Sequence, residues 1–219
     1  MNSNVKTELI FVRHGTTNSN QNGLLHGRTD IPLGPLGERE ATLAARRIAG
    51  LGLVDQVVSS PLQRALSTAR EIGSAVGITP VTDPRLIEFN FGDLEGVSFD
   101  DLQDKHTDLY LSMIDPNGLD QSFPNGESRS ELHFRVTDVL QNIVDQNNGG
   151  RTVVVAHLIV IATAIAHLAT GDPNDAVRYL VSNASISRVV IDGNEAPEVV
   201  ALNDTEHLVQ LQESEEEEV

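Results

Sequence analysis

The sequence predicts a single α/β domain, and three observations lead there. Apolar runs at 8–12, 56–58 and 152–156 each end in polar, chemistry-bearing residues. Segments with apolar residues at helical spacing lie between them, and no internal repeat or linker divides the chain. Strands alternating with amphipathic helices are the mark of an α/β sheet, whose ligands gather at the carboxyl ends of its strands. With 219 residues the chain is long enough to bury a sizeable core. The expected domain covers 1–208, followed by an acidic, disordered tail over 209–219.

Composition removes several function classes. The chain has no cysteine, which excludes disulfides, thiolate zinc sites and a cysteine nucleophile. Its net charge of −17 argues against nucleic acid or an anionic membrane as the main partner. Part of that charge is local, since Glu213, Glu215, Glu216, Glu217 and Glu218 form a self-repelling block. No apolar run approaches the roughly 20 residues of a membrane span. The start Met1-Asn2-Ser3-Asn4-Val5-Lys6 has no apolar core of the signal-peptide kind, so a cytoplasmic protein is expected. Oligomeric state is not legible.

The first element is the run Leu9-Ile10-Phe11-Val12, a strand that delivers Arg13, His14 and Gly15 into a polar turn. Taken alone, Arg13 and His14 could be ordinary strand-end residues. The Gly- and Pro-rich stretch from Gly23 to Gly37 reads as an ordered surface loop. A helix begins at Glu38, with Ala41, Ala44, Ala45 and Ile48 on one face, and stops at Gly50 and Gly52. Val57-Val58 is a short strand running into Ser59-Ser60-Pro61-Leu62-Gln63-Arg64. There Ser60 is the expected N-cap, Pro61 the first helical residue and Gln63 the partner in a capping box. Arg64 then falls in a first turn, where the helix dipole disfavours a cation. Either a carboxylate or an anionic ligand would resolve that conflict.

Glu88 sits between Leu86-Ile87 and Phe89. Desolvation in such a frame would keep it protonated near neutrality, as a general acid must be, although an exposed strand carboxylate fits the pattern equally. Ser98 to Met113 reads as one helix, Asp115 to Gly126 as a turn-rich connection, and Glu127 to Gln146 as a long amphipathic helix. Thr152 to Ala156 is the strongest strand signal and ends in His157. Leu158 to Leu168 is an apolar helix cut off by Gly171 and Pro173. Strands at Ser187–Ile191 and Pro197–Leu202 flank the turn Asp192-Gly193-Asn194.

If the three strands share a sheet, Arg13, His14, Arg64 and His157 meet at one edge. Two guanidiniums and two imidazoles form a planar-donor anion site suited to a phosphoryl group. A neutral imidazole can attack phosphorus without prior deprotonation.

The run Val12-Arg13-His14-Gly15-Thr16-Thr17-Asn18-Ser19-Asn20 resembles the signature of the histidine phosphatase superfamily, the phosphoglycerate-mutase-like proteins. Ser59 to Ala65 with Thr68-Ala69, Leu86 to Gly96, Asn125 to Ser128 and Val154 to His157 resemble its later blocks in the same order, so the likeness spans about Leu9 to Leu208. The resemblance implies a three-layer α/β/α sandwich around a central, mostly parallel sheet. It implies His14 as the nucleophile that becomes phosphohistidine, with Arg13, Arg64 and His157 on the phosphoryl oxygens and Asn20 as a neutral donor. Glu88 would protonate the leaving alkoxide and then deprotonate water. His26 and Gly27 would line the substrate side. The substrate implied is a small phosphorylated metabolite, and no cofactor or metal is needed because arginines supply the charge stabilisation.

One departure stands out. Relatives usually carry two glycines after the second histidine, where this chain has Leu158 and Ile159. A positive φ there would be strained, above all at β-branched Ile159. The expectation is a helix that starts at Leu158 with ordinary dihedrals and adds bulk beside the phosphate. Besides a phosphatase of a small phosphomonoester, three alternatives remain: a phosphoglycerate-type mutase, a catalytically weak phosphate-binding or regulatory relative, and a metal site on His14 and His157.

Overall fold

A computed structural model describes residues 6–115, 119–193, 195–209 and 211. Most of the tail expected over 209–219 lies outside the described residues, as do Met1–Val5, Pro116–Gly118 and Asn194 of the two expected turns. The elements are β1 (Lys6–Arg13), α1 (Asn18–Gln21), α2 (Pro35–Gly50), β2 (Gln56–Ser59), α3 (Gln63–Val76), β3 (Val81–Thr82), α4 (Phe99–Lys105), α5 (Thr107–Ile114), α6 (Arg129–Gln146), β4 (Arg151–Ala156), α7 (Leu158–Thr170), β5 (Ile186–Asp192) and β6 (Glu198–Asp204). A 3₁₀ segment, Pro173–Tyr179, follows α7.

The strands form one sheet in the order β3-β2-β4-β1-β5-β6. β1, β2, β3 and β4 are parallel, while β5 and β6 are antiparallel. The period-two alternation of strand side chains splits the core into two layers. Leu9, Phe11, Val58, Val154 and Ala156 face α6 and α7. Ile10, Val12, Val57, Val153 and Val155 face α2 and α3 through Ala44, Ile48, Ala69 and Ile72. The sheet is therefore covered on both faces, the α/β sandwich that was expected.

Three local expectations need correction. α2 begins at Pro35 rather than Glu38, because a first-turn proline gives up only an amide that has no intrahelical acceptor. The helix expected over Ser98–Met113 is two helices, broken at His106. The Phe99 and Tyr110 rings meet edge-on at 5.8 Å. In one straight helix, residues eleven apart would be separated by about 16 Å. Third, the N-cap of α3 is Leu62, without a side-chain cap. Asp30 takes that job from the loop, accepting from the Gln63 amide at 2.7 Å and from Gln63 Nε2 at 3.1 Å. The capping box expected between Ser60 and Gln63 gives way to this tertiary carboxylate, which also suits the positive helix terminus.

Candidate active site

The carboxyl ends of β1, β2 and β4 lie side by side, and the residues that leave them form the site. The His14 amide donates to the Ala156 carbonyl at 3.0 Å, and the Ser60 amide to the Val155 carbonyl at 3.0 Å. After His14 the chain turns against the first turn of α2. A Cβ on Gly15 would lie 2.3 Å from the Gly37 carbonyl oxygen, so that approach requires glycine. The His14 carbonyl is pinned by Asn183 Nδ2 and the Ala184 amide, both at 3.1 Å.

His14 is buried, and its Nδ1 lies 2.8 Å from the Gly15 carbonyl oxygen. A carbonyl can only accept, so the proton sits on Nδ1 and the Nε2 lone pair is free. Desolvation, reinforced by Arg13 and Arg64, holds its pKa well below the usual imidazole value. The ring is neutral at physiological pH, in the tautomer that a nucleophile requires.

Among the described residues, no carboxylate pairs with either arginine. Arg64 is 2% exposed and donates from Nη2 to the Gly27 carbonyl at 2.7 Å and from Nη1 to the Thr29 carbonyl at 2.9 Å. Arg13 donates from Nη1 to the Val181 carbonyl at 2.7 Å, and its buried Nε has no hydrogen-bond partner among the described residues. Burial pushes the Arg13 pKa down to about 10 and lowers that of Arg64, with Glu88 pulling each the other way. The first-turn arginine thus meets loop carbonyls instead of the carboxylate partner that was one of its two expected resolutions.

His157 packs edge-on against His14, with ring centroids 5.1 Å apart. It is fully buried, and burial holds its pKa well below the usual value, helped by His14, Arg64 and Arg13. Its Nε2 lies 2.8 Å from Ser60 Oγ. That oxygen already accepts from the Leu62 amide at 3.3 Å, so its own proton is available for Nε2. With Ser60 as donor, Nε2 accepts and the ring proton sits on Nδ1, a buried nitrogen with no hydrogen-bond partner among the described residues. Ser60, which sequence reasoning placed as a helix cap, is a second contact of the site.

Glu88 is 5% exposed and sits at the amino end of α7. Its Oε1 accepts from the Phe89 amide at 2.8 Å and the Val160 amide at 3.4 Å, and its Oε2 from the Ile159 amide at 3.2 Å. Desolvation raises its pKa, and the amides and arginines only partly offset that. The apolar frame read from sequence therefore exists, on a loop, and the exposed strand carboxylate that fitted the pattern equally does not. Arg135 fixes the loop, donating to the carbonyls of Arg85, Ile87 and Glu88 and to Glu127. No local signal marked Arg135, which lies 47 residues from Glu88.

Leu158 and Ile159 open α7 with His157 as N-cap, and neither has a positive φ, as expected. Asn20 closes a capping box at α1. Its Oδ1 accepts from the Thr17 amide, Thr17 Oγ1 and Asn183 Nδ2, which leaves the amide nitrogen as its free donor. A cavity of about 370 Å³ is lined by Arg13, His14, Asn20, His26, Arg64, Glu88 and Leu158 among others. Gly27 and His157 do not line it. Gly27 instead supplies the carbonyl for Arg64 and passes so close to Phe89 that a Cβ would meet its carbonyl oxygen at 1.8 Å. Leu25, Phe89 and Phe91 line the cavity, whereas Phe123 is core. Among the described residues no three His, Asp or Glu side chains converge at metal-holding distance.

Residues 9–205 match the model of the histidine phosphatase superfamily, branch 1. The chain belongs to that superfamily. A protein of Yersinia enterocolitica named probable phosphoglycerate mutase GpmB is 33% identical over 208 residues, 92% of this chain and 94% of the relative. The phosphoserine phosphatase of Entamoeba histolytica, solved with 3-phosphoglyceric acid, is 31% identical with a TM-score of 0.80, covering 92% of this chain and 99% of its own. The alpha-ribazole phosphatase of Shigella flexneri is 25% identical with a TM-score of 0.77, covering 90% and 96%. This member of the histidine phosphatases is an enzyme, with the mixed sheet of its structural neighbours.

Proposed function

We propose that the chain is a phosphatase that hydrolyses a small phosphomonoester through a phosphohistidine at His14 Nε2. The observation that carries this reading is the Nδ1 bond to the Gly15 carbonyl, which leaves a neutral ring's lone pair in the cavity that Arg64 and half-buried Arg13 also line. In the first step Nε2 attacks phosphorus, the ester P–O bond breaks, and Glu88 gives its proton to the departing alkoxide. In the second step Glu88 takes a proton from water, the hydroxide attacks phosphorus, and the P–N bond breaks to free phosphate. Arg13, Arg64 and the Asn20 amide hold the phosphoryl oxygens in both steps, while His157, packed edge-on against the His14 ring, positions it. The guanidiniums carry the charge stabilisation, so the scheme requires no metal ion.

The same proposal places one catalytic domain over 1–208 and the enzyme in the cytoplasm, where the charge of phosphorylated small molecules retains them. The relatives' names keep mutase activity as a second reading, since one is named a phosphoglycerate mutase. Incubation with an aryl phosphate, with and without a chelator, tests the first reading. Equal hydrolysis in both is expected, with an acid-labile, base-stable phosphoenzyme. His14→Ala is expected to lower turnover by roughly 10⁴-fold or more. Hydrolysis that survives His14→Ala would overturn the mechanism. Interconversion of phosphoglycerates faster than their hydrolysis would favour the mutase.

A further inference from the structure

Beyond the phosphoryl cradle the cavity changes character. Leu158, Ile159, Phe91, Phe99, Val177 and Leu180 make up an apolar part of its lining. Of these, Val177 is 60%, Leu180 50% and Phe99 43% exposed. Several large apolar side chains left open around one cavity mark a binding surface. The occupant is constrained from the other end, because the same cavity terminates at His14 and the arginines. Its volume of about 370 Å³ is that of a small-molecule site and exceeds what a phosphoryl group alone would fill.

Charge is sparse along this wall. Among the described residues, Arg129 is the only Asp, Glu, Lys or Arg side chain lining the cavity apart from Arg13, Arg64 and Glu88. Its guanidinium donates to the Asp115 carbonyl. An ester bearing a carboxylate needs a cation of its own, and an amino-acid ester needs a carboxylate as well. Against leucine and valine such groups are desolvated, with Arg129 alone to offer a carboxylate a cation and only Glu88, already held by three amides, to offer an ammonium a carboxylate.

We propose that the ester this site takes is the monophosphate of an uncharged, largely apolar alcohol, with Leu158, Ile159, Val177 and Leu180 setting the preference. This assignment rests on the phosphatase reading and names its substrate class. The n-alkyl monophosphates from methyl to octyl share nearly one leaving-group basicity, so kcat/KM along the series reads the wall rather than the chemistry. Each methylene removed from water is worth up to roughly fourfold. The expected result is a rise of about two- to fourfold per methylene until the cavity is filled. Octyl phosphate should exceed 3-phosphoglycerate and phosphoserine by roughly tenfold or more, a few buried methylenes' worth. Val177→Asp and Leu180→Asp, at exposed positions, should lower the octyl-to-methyl ratio by about tenfold with an unchanged melting temperature.

Calorimetric titration of the same esters onto His14→Ala reports the preference without turnover. A flat series, or tighter binding of 3-phosphoglycerate than of octyl phosphate, overturns the apolar-alcohol assignment while leaving the phosphatase reading in place. Failure of the wild type to hydrolyse any ester, with octyl phosphate still the best ligand of His14→Ala, overturns the phosphatase reading and supports the ligand class.

Discussion

The two ends of β1 handle buried charge in opposite ways. At the amino end, Glu8 lies between Arg151 and Arg188, each 2.6 Å from one of its oxygens. Every charge there has a partner, and the cluster closes the bottom of the sheet. At the carboxyl end, buried Arg64 and half-buried Arg13 donate to neutral carbonyls, with no carboxylate at ion-pair distance among the described residues. Glu88, whose charge acts on both, has its own pKa raised by burial, so it offsets them less than an ordinary carboxylate would. Burying an uncompensated cation costs several kcal/mol, and only the surrounding fold can offset that. The difference separates an end whose charges are paired from one whose positive field is left unspent, as the proposed phosphoryl site requires.

Substitutions that remove one charge at a time should break this contrast. Arg64→Met is expected to lower kcat by about 10²- to 10³-fold, the cost of losing one transition-state donor. It should also leave the melting temperature unchanged or raise it, since a desolvated cation is removed. Steady-state kinetics and calorimetry check both halves. Glu88→Gln should slow alkyl esters by roughly 10²-fold or more and aryl esters far less, because aryl leaving groups hardly need a proton. In the wild type, alkyl-ester turnover should fall as pH rises through the elevated Glu88 pKa, and fall again in acid as His14 is protonated below its depressed pKa. A raised carboxyl pKa favours folding only while the group is protonated. Glu88→Gln should therefore stabilise the protein above the ordinary carboxylate range and leave it unchanged below.

Ser60→Ala should cost about tenfold in kcat, the worth of one neutral hydrogen bond that sets a tautomer. Nitrogen chemical shifts of His157 would show whether the proton has left Nδ1. The smallest effect on turnover is expected at the other end of β1. Glu8→Gln should leave kcat and KM unchanged and lower stability by about 1–3 kcal/mol, because two partly buried arginines lose their partner. A kinetic defect in Glu8→Gln would erase the distinction between the two ends.

Much of the architecture was legible because it is written in short periods. The alternation Leu9-Ile10-Phe11-Val12 places successive residues in the two core layers, and Ala41, Ala44, Ala45 and Ile48 mark the buried face of α2. Arg13, His14, Arg64 and His157 were found because each directly follows a strand or opens the next helix. What was missed depends on long-range contacts. Asp30 caps a helix 33 residues on, and Arg135 holds carbonyls 47 to 50 residues away. Asn183 reaches His14 across 169 residues. The break at His106 was missed because its acids and leucines continue a helical pattern on both sides.

By itself the sequence determined the order and type of the main elements, the family they belong to, and which arginines and histidines follow the strands, because periodicity and motif spacing are properties of contiguous residues. Only the tertiary structure decided which nitrogen of His14 is free, that the Ser60 hydroxyl serves His157, that Gly27 serves Arg64, and that the arginines remain without a carboxylate. Those outcomes depend on desolvation and hydrogen-bond geometry, which are set by neighbours drawn from every part of the chain.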